Sequence, residues 1–146
     1  MPVIAGFALA FSTVLTPVQS AEVAAAPQAI SLPASHSVED YIREYFKDAP
    51  VMIDIARCES RFRQFSGDGH TLKNPTSTAM GTFQIMASIH AGFAKDKLGL
   101  DIYSLQGNAA YARYLYDREG TIPWAASAKC WDKSGKLLAR ANQNID

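Results

Sequence analysis

Excess charge of either sign is missing from this chain: 14 Lys and Arg stand against 14 Asp and Glu. No overall field draws it toward nucleic acid or an anionic surface, so a nucleic-acid partner is not expected. Cysteine is scarce, with two in 146 residues, and His36, His70 and His90 are dispersed. Their spacing matches no zinc site, and no metal is expected. Internal repeats are absent, and little of the chain alternates as a strand would. What remains is a mainly α chain, long enough for one domain with a real core.

Charged side chains are also missing from residues 1–21, where residues 3–18 are mostly apolar. The run is short and bounded by proline, which suits a signal-peptide core better than a membrane span. Val18, Gln19 and Ser20 before Ala21 place small residues where a signal peptidase reads, although no Lys or Arg precedes the run. Residues 1–20 are therefore read as an N-terminal leader, and export as the expected address. Such a leader also allows transient membrane association. Residues 21–36, rich in Ala, Pro, Ser and Gln, read as a flexible tether. The folded unit is expected over residues 37–131, with a polar tail over 132–146.

Ser37 followed by Asp40 resembles a capping box, and Val38, Tyr41, Ile42, Tyr45 and Phe46 then recur at helical spacing. Pro50 suits the first turn of a second helix, with Asp48 or Ala49 just before it. Val51, Met52, Ile55, Ala56 and Phe62 give that helix an apolar stripe. Glu59 lies four residues after Ile55 and seven after Met52, on the side the pattern reserves for core. The plain reading is an edge carboxylate that bends to water or pairs with Arg57, Arg61 or Arg63. The functional reading is a desolvated acid that keeps its proton at neutral pH and protonates a glycosidic oxygen.

Residues 66–79 carry turn chemistry, with Gly67, Gly69, Asn74 and Pro75, and read as a surface loop or short hairpin. Gly81 then removes a side chain where backbone could meet ligand, and Gln84 offers a donor and an acceptor to sugar hydroxyls or amides. A lone Gly-x-x-Gln is a weak motif. Phe83 and Ile85 are expected in the core. Residues 89–98 read as a short amphipathic helix ended by Gly99. Ser104 can cap a further helix ended by Gly120. In it Tyr111 and Tyr114 stand equally as core or rim aromatics and as substrate contacts. Pro123 and Trp124 restart a short helical segment that ends near Cys130 and Trp131.

In an exported chain an even cysteine count favours a bridge between Cys58 and Cys130. It would close a loop of about 70 residues and contribute roughly 4 kcal/mol by chain entropy. Two buried thiols are the alternative.

Taken together, Glu59-Ser60, Gly81-x-x-Gln84 and Asn108-Ala109-Ala110-Tyr111-x-x-Tyr114-Leu115 resemble the catalytic domain of soluble lytic transglycosylases, over most of the folded unit. Cys58 directly before the glutamate, with a late cysteine, is also similar to the related resuscitation-promoting factors. The resemblance implies a lysozyme-like single domain of several short helices, with a small loop or hairpin beside the cleft. It implies Glu59 as sole general acid and base, with Ser60 supporting it at the helix end. Ser60, Gly81, Gln84, Tyr111 and Tyr114 become the candidate substrate-binding residues. The implied substrate is peptidoglycan, cut between N-acetylmuramic acid and N-acetylglucosamine to leave a 1,6-anhydro end, by a monomer without cofactor.

One departure stands out. Members of that family carry an Ala-Tyr-Asn segment late in the domain, with the tyrosine near the acid. Here the nearest stretch is Trp124-Ala125-Ala126-Ser127-Ala128-Lys129. Ser127, Lys129, Tyr111 and Tyr114 are the candidates for that polar role. Two alternatives to the lyase stand beside it: a water-using muramidase in which Asp68 assists, and a non-catalytic wall-binding module of the same fold.

Overall fold

Ser37 Oγ accepts from the Asp40 N–H at 3.1 Å, and Asp40 Oδ2 accepts from the Ser37 N–H at 3.2 Å. The capping box thus starts α1 (Val38–Tyr45) where the sequence places it. The structure, a computed structural model, describes residues 37–135. The expected leader, the tether and residues 136–146 lie outside the described residues.

Pro50 opens α2 (Pro50–Ser60), and Ala49 rather than Asp48 is its N-cap. Asp48 instead binds Arg113, drawing the α1–α2 corner toward a later helix. Two short strands follow, β1 (Ala79–Met80) and β2 (Ile85–Met86), paired antiparallel with Ala79 opposite Met86. Isolated bridges join Phe65 to Thr71 and Lys73 to Met80, so residues 66–79 fold back on themselves beside the hairpin. Then come α3 (Ala87–Leu98), α4 (Leu105–Glu119), a 3-10 helix (Ile122–Ser127) and α5 (Ala128–Trp131). The described chain is mainly helical, as expected. No helix in it is long and apolar enough to cross a membrane.

The core gathers where α1, α2, α4 and the 3-10 helix meet. Ile42, Phe46, Met52, Ile55, Phe83 and Trp124 are all buried there. Phe83 connects the layers: its ring centroid lies 5.1 Å from Phe46 and 6.2 Å from Trp124. Ala109 and Ala112 are fully buried on α4, and small side chains of this kind allow helices to approach closely.

One expectation needs correction. The helix predicted over 89–98 begins at Ala87, and two of its large apolar side chains, Ile89 and Phe93, do not face the core. Ile89 is 66% and Phe93 44% exposed, while Ala94 is buried. Ala87, Ala91 and Ala94, with Leu98 at the helix end, make the core contact, which leaves Ile89 and Phe93 outside.

The start of the expected tail is ordered locally. Lys133 Nζ reaches Asp54 of α2 at 2.9 Å. Cys58 and Cys130 form a disulfide that joins α2 to α5 across 72 residues.

Candidate active site

α2 ends abruptly just after Glu59. Arg61 and Phe62 both take left-handed backbone conformations, with φ of 56° and 57°. Two such non-glycine residues in succession cost roughly 1–2 kcal/mol each, so the turn must be held from outside. Ser60 Oγ donates to the Ala56 carbonyl at 3.2 Å and accepts from the Arg63 N–H at 3.1 Å. Arg63 Nε returns to the Ser60 carbonyl at 3.0 Å, and the Arg43 guanidinium lies over the Phe62 ring. Ser60 is only 3% exposed, and its hydroxyl is used within the chain. Its visible work is to hold the helix end.

The Glu59 carboxyl is half-buried and accepts a 2.6 Å hydrogen bond from Ser127 Oγ. None of its basic neighbours forms an ion pair with it: Arg57 pairs with Asp54, and Arg63 binds backbone. Burial pushes the Glu59 pKa up, and the Ser127 hydroxyl opposes that with a smaller downward pull. This is the balance expected of an acid that holds its proton beyond the ordinary carboxylate range. Lys129, the other polar candidate in that segment, is exposed.

Gly81-Thr82-Phe83-Gln84 is the connection of the hairpin between β1 and β2. Gly81 has φ 70°, and a Cβ there would sit 2.7 Å from both Gln64 and Asn108 side-chain atoms. Those two amides, both fully buried, build the turn. Gln64 Oε1 accepts from the Thr82 N–H and hydroxyl, each at 2.9 Å, while its Nε2 donates to the Tyr103 carbonyl. Asn108 Oδ1 accepts from the Phe83 N–H at 2.9 Å, and its Nδ2 donates to the Met80 and Ile102 carbonyls. Gln84 closes the turn with a bond from Nε2 to the Gly81 carbonyl, at a strained φ of 49°. A non-glycine residue in that region is a recurrent mark of functional sites.

A continuous chain of hydrogen bonds links this turn to the acid. Trp124 Nε1 donates to the Phe83 carbonyl at 3.0 Å. The Trp124 carbonyl lies 3.1 Å from Ser127 Oγ, which in turn holds Glu59. Trp131 Nε1 bonds Ser127 Oγ at 2.9 Å and the Trp124 carbonyl at 3.2 Å. The two motifs noticed separately in the sequence, Glu59 and Gly81-x-x-Gln84, are therefore parts of one hydrogen-bonded assembly.

The tyrosines of α4 divide. Tyr111 is 2% exposed, and its hydroxyl bonds His90 Nδ1 at 3.0 Å. Burial raises the Tyr111 pKa and lowers that of His90. Tyr114 is half-buried, with Phe93 5.8 Å away and the Arg118 guanidinium over its ring. Of the candidate contact residues, Gln84 and Tyr114 keep accessible surface, while Ser60, Gly81 and Tyr111 are buried.

Asp68 is exposed and bound locally, accepting from the Ser66 hydroxyl and from the His70 N–H at 3.1 Å. Those bonds, the Ser66 hydroxyl first, hold its pKa below the ordinary value. It is a turn-forming aspartate. Among the described residues no group of His, Cys, Asp or Glu could hold a metal ion. A depression of about 670 Å³ opens between α3 and the 99–103 segment, but neither Glu59 nor Gln84 lines it. The acid in its walls, Asp101, accepts from the Tyr103 N–H at 3.0 Å.

Gln64 escaped the sequence reading, since a single polar residue after a helix has no periodic signal. Comparison with protein-family models, with curated proteins and with solved structures finds no match to this chain.

Proposed function

We propose that this chain is a peptidoglycan lytic transglycosylase of lysozyme-like fold, with Glu59 as its only general acid and base. The observation that carries the reading is the state of Glu59: half-buried, raised in pKa by desolvation, and held by a neutral hydroxyl instead of a cation. A carboxyl in that state is suited to give up a proton as a bond breaks and to take one back afterwards.

In this scheme Glu59 protonates the oxygen leaving toward N-acetylglucosamine, and the bond to C1 of N-acetylmuramic acid breaks. The neighbouring 2-acetamido group of the substrate stabilises the cation at C1. The ionised Glu59 then removes the proton from the 6-hydroxyl of the same sugar, whose oxygen closes on C1. Glu59 ends protonated, and no water is consumed. Gln84, which keeps accessible surface, offers its remaining amide capacity to the glycan, while Gly81 is buried and shapes the turn beneath it.

The muramidase reading requires a second carboxylate about 5 to 9.5 Å from the acid, or one placed to hold water. Asp68 was its candidate, and the commitment of that side chain to a local turn favours the lyase. The Cys58–Cys130 bridge fits export to an oxidising compartment. Mass spectrometry of muropeptides released by the purified protein tests the assignment. Anhydro ends are expected; reducing ends would make the protein a muramidase, and no release would leave a wall-binding module.

A further inference from the structure

We infer that Ser127 is a two-position partner of Glu59: its one proton goes to the Glu59 carboxylate when that group is ionised, and to the Trp124 carbonyl when Glu59 Oε1 carries the proton. The inference rests on the reading of Glu59 as an acid that cycles between both forms, and it makes Ser127 a positioning residue for that cycle.

The geometry is that of a three-way junction at one oxygen. Ser127 Oγ lies 2.6 Å from Glu59 Oε1, 3.1 Å from the Trp124 carbonyl and 2.9 Å from Trp131 Nε1. A hydroxyl has one proton to give and two lone pairs to receive with, and an indole N–H can only donate. Trp131 therefore occupies one lone pair in either state. With Glu59 ionised, the Ser127 proton points to Oε1 and forms a charge-assisted bond. When the proton sits on Oε1, the oxygen that faces Ser127, that arrangement would set two donors against each other. Rotation of the Ser127 hydroxyl toward the Trp124 carbonyl frees its second lone pair for the Glu59 proton. Both states then leave every polar atom of the junction partnered, which matters in a half-buried site.

Few charges compete with this hydroxyl. Of the elements packed on α2, the 3-10 helix has no ionisable residue, α5 has Lys129, and α1 has Glu39, Asp40, Tyr41, Arg43, Glu44 and Tyr45. On α2 itself Asp54 is engaged with Arg57 and Lys133, and Arg61 and Arg63 follow the helix end. The influences that move the Glu59 carboxyl are burial and Ser127.

The chain has two tryptophans, so its two indole N–H resonances report the junction directly. In the wild-type protein the Trp131 indole signal should titrate with the same midpoint as the Glu59 carboxyl carbon. The Trp124 signal, bonded to Phe83, should follow much less. Glu59→Gln should abolish the Trp131 response, and so should Ser127→Ala. Ser127→Ala should also move the Glu59 midpoint upward, since a bond to the ionised form is lost, and lower kcat about tenfold or more with KM within about twofold. Ser127→Thr keeps the hydroxyl and should restore all three readouts. A Trp131 signal that stays flat while Glu59 titrates in the wild-type protein overturns the inference, as does a Glu59 midpoint unchanged in Ser127→Ala. A linked titration in a protein that releases no muropeptide would keep the hydroxyl exchange and remove the transglycosylase reading.

Discussion

Trp124 donates its indole N–H to the carbonyl of Phe83 at 3.0 Å, and by that bond the hairpin turn and the segment carrying Ser127 behave as one unit. Trp124→Phe keeps much of the ring packing but leaves the Phe83 carbonyl without its donor. The expected cost is about 1–3 kcal/mol of stability. Under the proposed function, peptidoglycan turnover should fall more than stability does, because Ser127 and Gln84 lose their common reference. Thermal unfolding and initial rates on the same preparation check this; equal losses in both would reduce Trp124 to a packing residue.

Gly81→Ala is expected to be severe for so small a change. The new methyl group meets two buried amides at 2.7 Å, and φ of 70° is itself unfavourable for alanine. A loss of about 2–4 kcal/mol is predicted, on the scale of a buried network broken. Denaturant titration measures it, and a midpoint near that of the parent would show that the turn adapts.

Glu59→Gln should remove activity by about a hundredfold or more. The same substitution should stabilise the fold at neutral pH. Because burial raises the folded pKa of Glu59 above its unfolded value, the folded state binds the proton more tightly. Stability is thus fully kept below the unfolded pKa and declines as pH rises through the folded one. Glutamine is free of that decline, so Tm should exceed the parent's by about a few degrees at pH 7 and match it in acid. Melting curves at several pH values decide; a variant less stable at pH 7 would contradict a desolvated acid.

Breaking the Cys58–Cys130 bridge, by reduction or by a double Cys→Ser variant, should cost up to about 4 kcal/mol for a 72-residue separation. Activity is expected to fall at temperatures where the helices persist, since Glu59 follows Cys58 and Ser127 precedes Cys130 by three residues. Circular dichroism run alongside turnover separates the two effects. Joint loss at every temperature would point to global unfolding instead.

Local signals served the helix ends well. Ser37 with Asp40, Pro50, Gly99, Ser104 and Gly120 each act through atoms within a few residues, and each boundary lies where those residues indicate. The hairpin turn was harder to read. Its donors and acceptors come from Gln64 and Asn108, 18 and 25 residues away from the atoms they bind, and no period records that. On α3 the pattern misled, because burial there followed closeness of approach and favoured alanine over Ile89 and Phe93. Ser127 was visible only as one of four candidates. What singled it out is a bond across 68 residues of chain.

The hairpin also says something about the order in which the molecule comes together. Two residue pairs are too short a ladder to persist in water by themselves. The side chains that complete its loop arrive from opposite sides of the sequence, so it can close only once the segment after α2 and the start of α4 have met. Contacts of that separation form late. During folding, the helix bearing Glu59 should therefore exist before the turn that carries Gln84 has closed.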